Sequence, residues 1–139
     1  MRKWKSVIVT VLVFAFMIGT TVVQGKATTQ TVYLRKNQLV NFGSYLERSG
    51  NYDYILVKCD SVYPPSGTDN YKKMQCSLRS GENLQHVGSG DVYVVLTEGQ
   101  GYTKIYLQKD YLSLKAVCLY YRGNDPDKDA YANVTYDPL

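Results

Sequence analysis

The chain has 139 residues, 16 basic and 12 acidic side chains, one histidine, three cysteines and an aromatic set of 14 Tyr, 3 Phe and a single Trp. That length fits one domain, and one histidine without a Cys-x-x-Cys pair leaves no donor set for a zinc site. Three of the bases, Arg2, Lys3 and Lys5, precede residue 26, so thirteen bases face twelve acids from Lys26 onward. A near-neutral body argues against nucleic acid as the partner, although the whole chain has a pI of about 8.9.

The chain opens on Met1-Arg2-Lys3-Trp4-Lys5, a cationic start, and runs from Val7 to Ile18 with Thr10 as the only interruption in apolar residues. About a dozen apolar residues match the core of an export signal and fall short of a membrane-spanning helix. Small residues then allow cleavage after Gly25 or Ala27. A signal peptide over residues 1–25 is therefore expected, with residues 26–139 as one secreted, extracellular domain. The first cysteine is Cys59, too far along for a lipid-anchored cleavage site, and no stable membrane anchor is expected.

Beyond the leader, hydrophobic residues recur at period two between clusters of Gly, Asn, Asp and Pro. Short strands are predicted at residues 32–35 and 39–42, with Asn37 and Gln38 as a tight connection. The best helical candidate, residues 41–48, is short and uncapped. Residues 53–59 read as a buried strand. In residues 73–79, Met74, Cys76 and Leu78 alternate with Lys73, Gln75, Ser77 and Arg79, the pattern of a strand with one wet face. Residues 91–97 put Val92, Val94 and Leu96 in an inner row; Ile105 and Leu107 mark another strand. Residues 113–121 place Val117, Leu119 and Tyr121 on one face and Leu114, Ala116 and Cys118 on the other, and residues 130–136 form a last strand. Seven to eight strands at this spacing predict an all-β fold, an antiparallel β-sandwich with a closed barrel as the alternative.

An oxidising compartment favours one disulfide among three cysteines. Gly67 lies at the midpoint of Cys59 and Cys76 in a turn-rich segment, so a fold-back there pairs these two, with Cys118 free or an alternative partner. Such a bond is worth about 3 kcal/mol in the loop-entropy account. No motif joins a cysteine to His86, so a cysteine nucleophile is not expected. Glu47, Glu82 and Glu98 are the only glutamates and keep a small secreted hydrolase open, since paired carboxylates leave no short motif.

After the long strand comes Gly123-Asn124-Asp125-Pro126-Asp127-Lys128-Asp129. Asp125, Asp127 and Asp129 supply the hard oxygens that calcium takes, while the same residues build an ordinary turn for backbone reasons; Ala130 and Tyr136 stand where a helix-flanked calcium loop needs Gly and Glu. Calcium is thus the one cofactor considered. Exposed tyrosines offer a recognition surface, and Tyr63, Tyr71, Tyr120 and Tyr121 are its candidates, the first two bounding the proline-containing loop. Asn133-Val134-Thr135 fits a glycosylation sequon, set aside because the leader is of bacterial kind.

A short Lys-rich leader, a compact Tyr-rich β body and the closing Ala132-Asn133-Val134-Thr135-Tyr136 resemble, in general plan, small exported proteins of Gram-positive bacteria. That resemblance implies export and a β fold and assigns no activity. The expected function is a secreted, non-catalytic β-sandwich that binds a protein or cell-surface glycan through Tyr-rich loops. Its alternatives are an inhibitor or immunity-type partner of another exported protein, and the hydrolase.

Overall fold

Alternation in the sequence becomes alternation in burial. In Lys73–Ser80 the side chains of Met74, Cys76 and Leu78 are buried while Lys73 is exposed and Gln75 and Arg79 are half-exposed; Ser77, expected on the wet face, is fully buried. The strands thus turn one face to a shared core and the other outward, where Ser77 and Cys118 are covered by neighbouring side chains. The computed structural model describes residues 27–139, so the leader expected over residues 1–25 lies outside the described residues.

Eight strands are present: β1 (Thr28–Leu34), β2 (Asn41–Glu47), β3 (Tyr54–Tyr63), β4 (Lys73–Ser80), β5 (Val94–Thr97), β6 (Thr103–Tyr106), β7 (Ala116–Gly123) and β8 (Ala130–Asp137). They form two four-stranded sheets, sheet A in the order β1-β8-β3-β6 and sheet B in the order β2-β7-β4-β5, every pairing antiparallel. The fold is a β-sandwich and not a closed barrel. Its only helical pieces among the described residues are two 3-10 turns, Lys36–Gln38 and Lys109–Tyr111.

Leu34, Ile55 and Val57 of sheet A meet Leu78, Leu96 and Leu119 of sheet B in the interior, all at or near complete burial. Tyr121 is fully buried among them and its hydroxyl lies 3.0 Å from Ser44 Oγ. Ser44 Oγ donates to Gln30 Oε1, and Gln30 Nε2 donates to the Gly43 carbonyl. One flank of the sandwich is thereby latched, since Gln30 belongs to an edge strand of sheet A and Ser44 to an edge strand of sheet B. The register of β2 shifts between Phe42 and Ser44, and a Cβ on Gly43 would stand 1.9 Å from Tyr121 Cε2. The tyrosine ring occupies the space that any side chain there needs.

A second clamp is Arg48, buried just past β2. Its guanidinium donates to the carbonyls of Leu112 and Leu114 through Nη1 and of Tyr52 through Nη2. Burial lowers its pKa, and the nearby Asp53 opposes that. The clamp ties the end of β2 to the two chain segments that pass beside it.

Several expectations are corrected. Residues 41–48 are strand through Glu47, because Ser44 and Leu46 pack inward while Tyr45 and Glu47 face out, a period of two that the short window hid. Val92 is exposed and precedes β5, which starts at Val94. The long strand starts at Ala116 rather than residue 113, after the 3-10 turn.

The largest correction concerns the chain path. Only the β4–β5 connection stays within one sheet; every other connection crosses the sandwich. The segment between Cys59 and Cys76 is therefore an arch between sheets and not a hairpin. Cys59, Cys76 and Cys118 are free, buried thiols, and the expected Cys59–Cys76 bond is not formed. Cys59 and Cys76 lie on the inner faces of opposite sheets, near enough for Cys59 to act on the Cys76 thiol, and remain unbonded. Cys118 is buried on the opposite side of sheet B from Cys76, next to Arg79 in register, so it is no alternative partner across the core.

Candidate functional site

The outer face of sheet A is built from strand register. Tyr33 of β1 pairs with Tyr131 of β8, which pairs with Tyr63 of β3, so three tyrosines cross three adjacent strands in one row. Their ring centroids lie 5.0 and 5.7 Å apart at interplanar angles of 42° and 25°. That separation is too short for rings side by side in one plane, so they turn their faces to each other and their edges outward, with the Tyr33 hydroxyl bonded to the Asp129 side chain. Tyr33 and Tyr63 are 39% and 40% exposed.

Two residues along, the next row is polar. Thr31 Oγ1 donates to Asn133 Oδ1 at 2.7 Å and Asn133 Nδ2 donates to Ser61 Oγ at 2.8 Å. In the row beyond, the Thr29 and Thr135 hydroxyls are 2.9 Å apart, and Thr135 donates to Asp60 Oδ2, which belongs to the carboxylate that Lys58 Nζ approaches at 3.4 Å. A second tyrosine group closes the far end: Tyr54 meets Tyr52 and Tyr106 edge-on at 5.8 and 5.5 Å. Lys104 Nζ lies 4.6 Å from the centre of the Tyr54 ring and Lys58 Nζ 4.9 Å from that of Tyr102. The face is thus a hydroxyl and amide ladder between two tyrosine clusters.

On the opposite side of the sandwich, the outer face of sheet B is organised by arginines. Arg122 of β7 stacks over Tyr93 with its guanidinium carbon 3.6 Å from the ring centre, while its Nε donates to Gln75 Oε1 at 2.6 Å. Arg79 of β4 lies 4.8 Å over Tyr120, donates from Nη2 to the Tyr93 hydroxyl at 3.2 Å and from Nε to Ser77 Oγ at 3.3 Å. His86 bridges to Arg79 through the backbone. Burial, then the Arg79 charge, lowers the His86 pKa from its ordinary value, with a backbone bond at Asp91 opposing, so the imidazole is neutral at pH 7. Tyr45 and Val95, 54% and 49% exposed, extend this face onto both edge strands.

The four tyrosines singled out from sequence do not form one site. Tyr63 and Tyr120 lie on opposite outer faces. Tyr71 packs partly buried against the core with Lys128 Nζ 5.7 Å over its ring, beside an open cleft of about 230 Å³ lined by Asn70, Lys72, Lys73, Asn124 and Asp125. Tyr121 is fully buried in the core and is withdrawn as a ligand contact, since a ligand cannot reach it without opening the sandwich. Tyr33, Tyr93, Arg79 and Arg122 were not expected as site residues; their only sequence signal is an outward position in an alternating strand, or just before one.

The aspartate turn serves backbone. Asp125 Oδ1 accepts from the Asp127 amide at 2.9 Å and Asp129 Oδ1 from the Lys36 amide at 2.6 Å, while the Asn37 amide donates to the Pro126 carbonyl. The turn thus docks on the β1–β2 connection, and among the described residues no group of three or more His, Cys, Asp or Glu side chains is placed to hold a metal ion. Glu98 Oε2 accepts from the Val62 amide at 3.1 Å, so this glutamate also serves the fold.

The chain matches no protein-family model, and neither a curated protein nor a solved structure matches it.

Proposed function

We propose that the protein is a non-catalytic binding module acting outside the cytoplasm, and that the outer face of sheet A docks another protein. The observation that carries this is the in-register row Tyr33–Tyr131–Tyr63 beside the Thr31–Asn133–Ser61 ladder. Tyrosine gives large contact area at low conformational-entropy cost, and Ser, Thr and Asn give adaptable hydrogen bonds, the composition of protein-binding surfaces that work without a deep pocket.

The same geometry favours a protein over a neutral glycan. Sugar stacking needs an open ring face, and this row turns its inner ring faces on itself, presenting ring edges instead. Lys58 and Lys104, resting on Tyr102 and Tyr54 at the far end, suit a partner with carboxylates at that rim. The inhibitor or immunity-type alternative is a special case of the same docking.

The test is capture of proteins from the medium and envelope of the producing cell by the native chain and by Tyr33→Ala/Tyr63→Ala, run beside a glycan array. A protein retained by the native chain and lost at least tenfold by the double variant is expected. Retention unchanged in the variant, or glycan binding that disappears with it in place of protein binding, overturns the reading.

A further inference from the structure

We propose that the outer face of sheet B holds an oxyanion site of phosphate type, in which Arg79 and Arg122 converge over Tyr93. This face is opposite the proposed docking face, so the two readings stand or fall separately.

Three observations carry it. First, two guanidinium groups are held against one tyrosine, Arg122 on its ring at 3.6 Å and Arg79 on its hydroxyl at 3.2 Å. Like charges fixed this close repel, and the ion pairs formed among the described residues, Lys58–Asp60 and Lys128–Asp69, leave both arginines without a carboxylate. A neutral His86 beside Arg79 neither relieves nor adds to that charge. An anion is what the pair lacks.

Second, the donors that remain are the ones a tetrahedral oxyanion uses. Arg122 spends Nε on Gln75, and Arg79 spends Nε on Ser77 and Nη2 on Tyr93. The two Nη groups of Arg122 and Nη1 of Arg79 make no hydrogen bond among the described residues. Arg122 thus offers the end of its planar fork, which binds two oxygens at once. The Tyr93 hydroxyl accepts from Arg79 and keeps its own proton to donate.

Third, the fork is held in place before any ligand arrives. Stacking on Tyr93 sets the guanidinium plane, and Gln75 sets its rotation by accepting from Nε while donating from Nε2 to Asn124 Oδ1 at 2.9 Å. Ordering paid in the free protein is not paid again on binding. The Gln75–Asn124 relay also leads from Arg122 to the cleft where Lys72 and Lys73 lie. A chain of phosphates anchored at the arginines therefore meets Lys72 and Lys73 there, beside the Asp125 carboxylate that also lines the cleft, contacts that a single phosphate does not use.

Orthophosphate and long-chain polyphosphate, titrated separately into the protein, separate these two sources. The readouts are the Nε–Hε resonances of Arg79 and Arg122 and calorimetric affinity. Movement of both resonances is expected, with affinity for the bound anion reduced at least tenfold in Arg122→Gln and in Arg79→Gln and unchanged in Lys104→Gln on the other face. Arg122→Lys retains charge and stem packing but loses the fork, so an intermediate loss is expected there, and it keeps the test valid if Arg122→Gln folds poorly. Movement with orthophosphate supports a single-phosphate site; movement with polyphosphate alone supports the extended path. No movement with either anion, unchanged affinity in both glutamine variants, or an equal loss in Lys104→Gln overturns the proposal.

Discussion

The two outer faces of this sandwich are both tyrosine-rich, yet they use tyrosine differently. On sheet A, Tyr33, Tyr131 and Tyr63 pack on one another, and the cations at the far end lie over Tyr54 and Tyr102 with Lys58 also paired to Asp60. On sheet B, Tyr93 and Tyr120 carry arginines that have no acidic partner among the described residues. The lesson is that tyrosine content alone does not define a surface. What rests on each ring decides whether the face is neutral and adaptable or poised for an anion.

The largest expected effect separates both faces from the core beneath them. Tyr120 and Tyr121 are neighbours in β7 and point to opposite sides of sheet B. Tyr121→Ala empties a fully buried site and removes the hydroxyl partner of Ser44 Oγ, which keeps only its bond to Gln30, and is expected to cost about 3–5 kcal/mol in urea unfolding. Tyr120→Ala forfeits an outer-face contact with Arg79 and is expected to cost about 1 kcal/mol. A larger cost at Tyr120 than at Tyr121 would mean that the strand is placed the wrong way round. Gly43→Ala presses on the Tyr121 ring and on the Leu119 carbonyl oxygen and is expected to cost about 1–3 kcal/mol, only the ring's share of which is relieved when it is combined with Tyr121→Ala.

A smaller effect concerns the thiols that sit between the faces. Burial, with Glu98 and Asp60 adding to it, pushes Cys59 up to about 12, and burial pushes Cys76 up to about 12, from an ordinary 9.0. A thiol that ionises less readily when folded contributes stability that is whole below pH 9.0 and is lost as pH rises toward 12. The urea midpoint should therefore fall between pH 9.0 and 12, and fall less steeply in Cys59→Ala than in the native protein. Thiol-reactive reagents at pH 8 should label Cys59 and Cys76 only after denaturant is added. Rapid labelling of the folded protein would show that the two sheets open.

Smallest in free energy, and most useful for the comparison, is the pair of outer-face variants. Tyr33→Ala/Tyr63→Ala should leave phosphate-type binding at sheet B intact, and Arg79→Gln/Arg122→Gln should leave protein capture at sheet A intact. Cross-talk between the two would merge the faces into one site.

Much of the fold was legible in the sequence. Met74, Cys76 and Leu78 alternate cleanly with polar neighbours, which fixes a half-wet strand without any knowledge of its partners. Val117, Leu119 and Tyr121 fall on one face by the same rule, so the burial of Tyr121 was readable from its own strand. The partition into sheets was not. Turn residues such as Pro64, Pro65 and Gly67 reverse a chain equally well as a hairpin or as an arch between sheets, and the arch sets Cys59 and Cys76 on facing sheets rather than side by side on neighbouring strands. The sites were less legible still, because the Tyr33–Tyr131–Tyr63 row and the Arg79–Tyr93–Arg122 cluster exist only through register between strands distant in sequence. Local alternation says that Arg79 points outward; it does not say that Arg122 points to the same tyrosine.

The most direct test is a paired capture experiment, in which the native chain, Tyr33→Ala/Tyr63→Ala and Arg79→Gln/Arg122→Gln are presented to the same mixture of exported and envelope proteins. A protein partner held by the native chain and by the arginine variant, and released by the tyrosine variant, is the predicted result. Retention of that partner by the tyrosine variant at native strength would contradict the assignment of sheet A as the docking face.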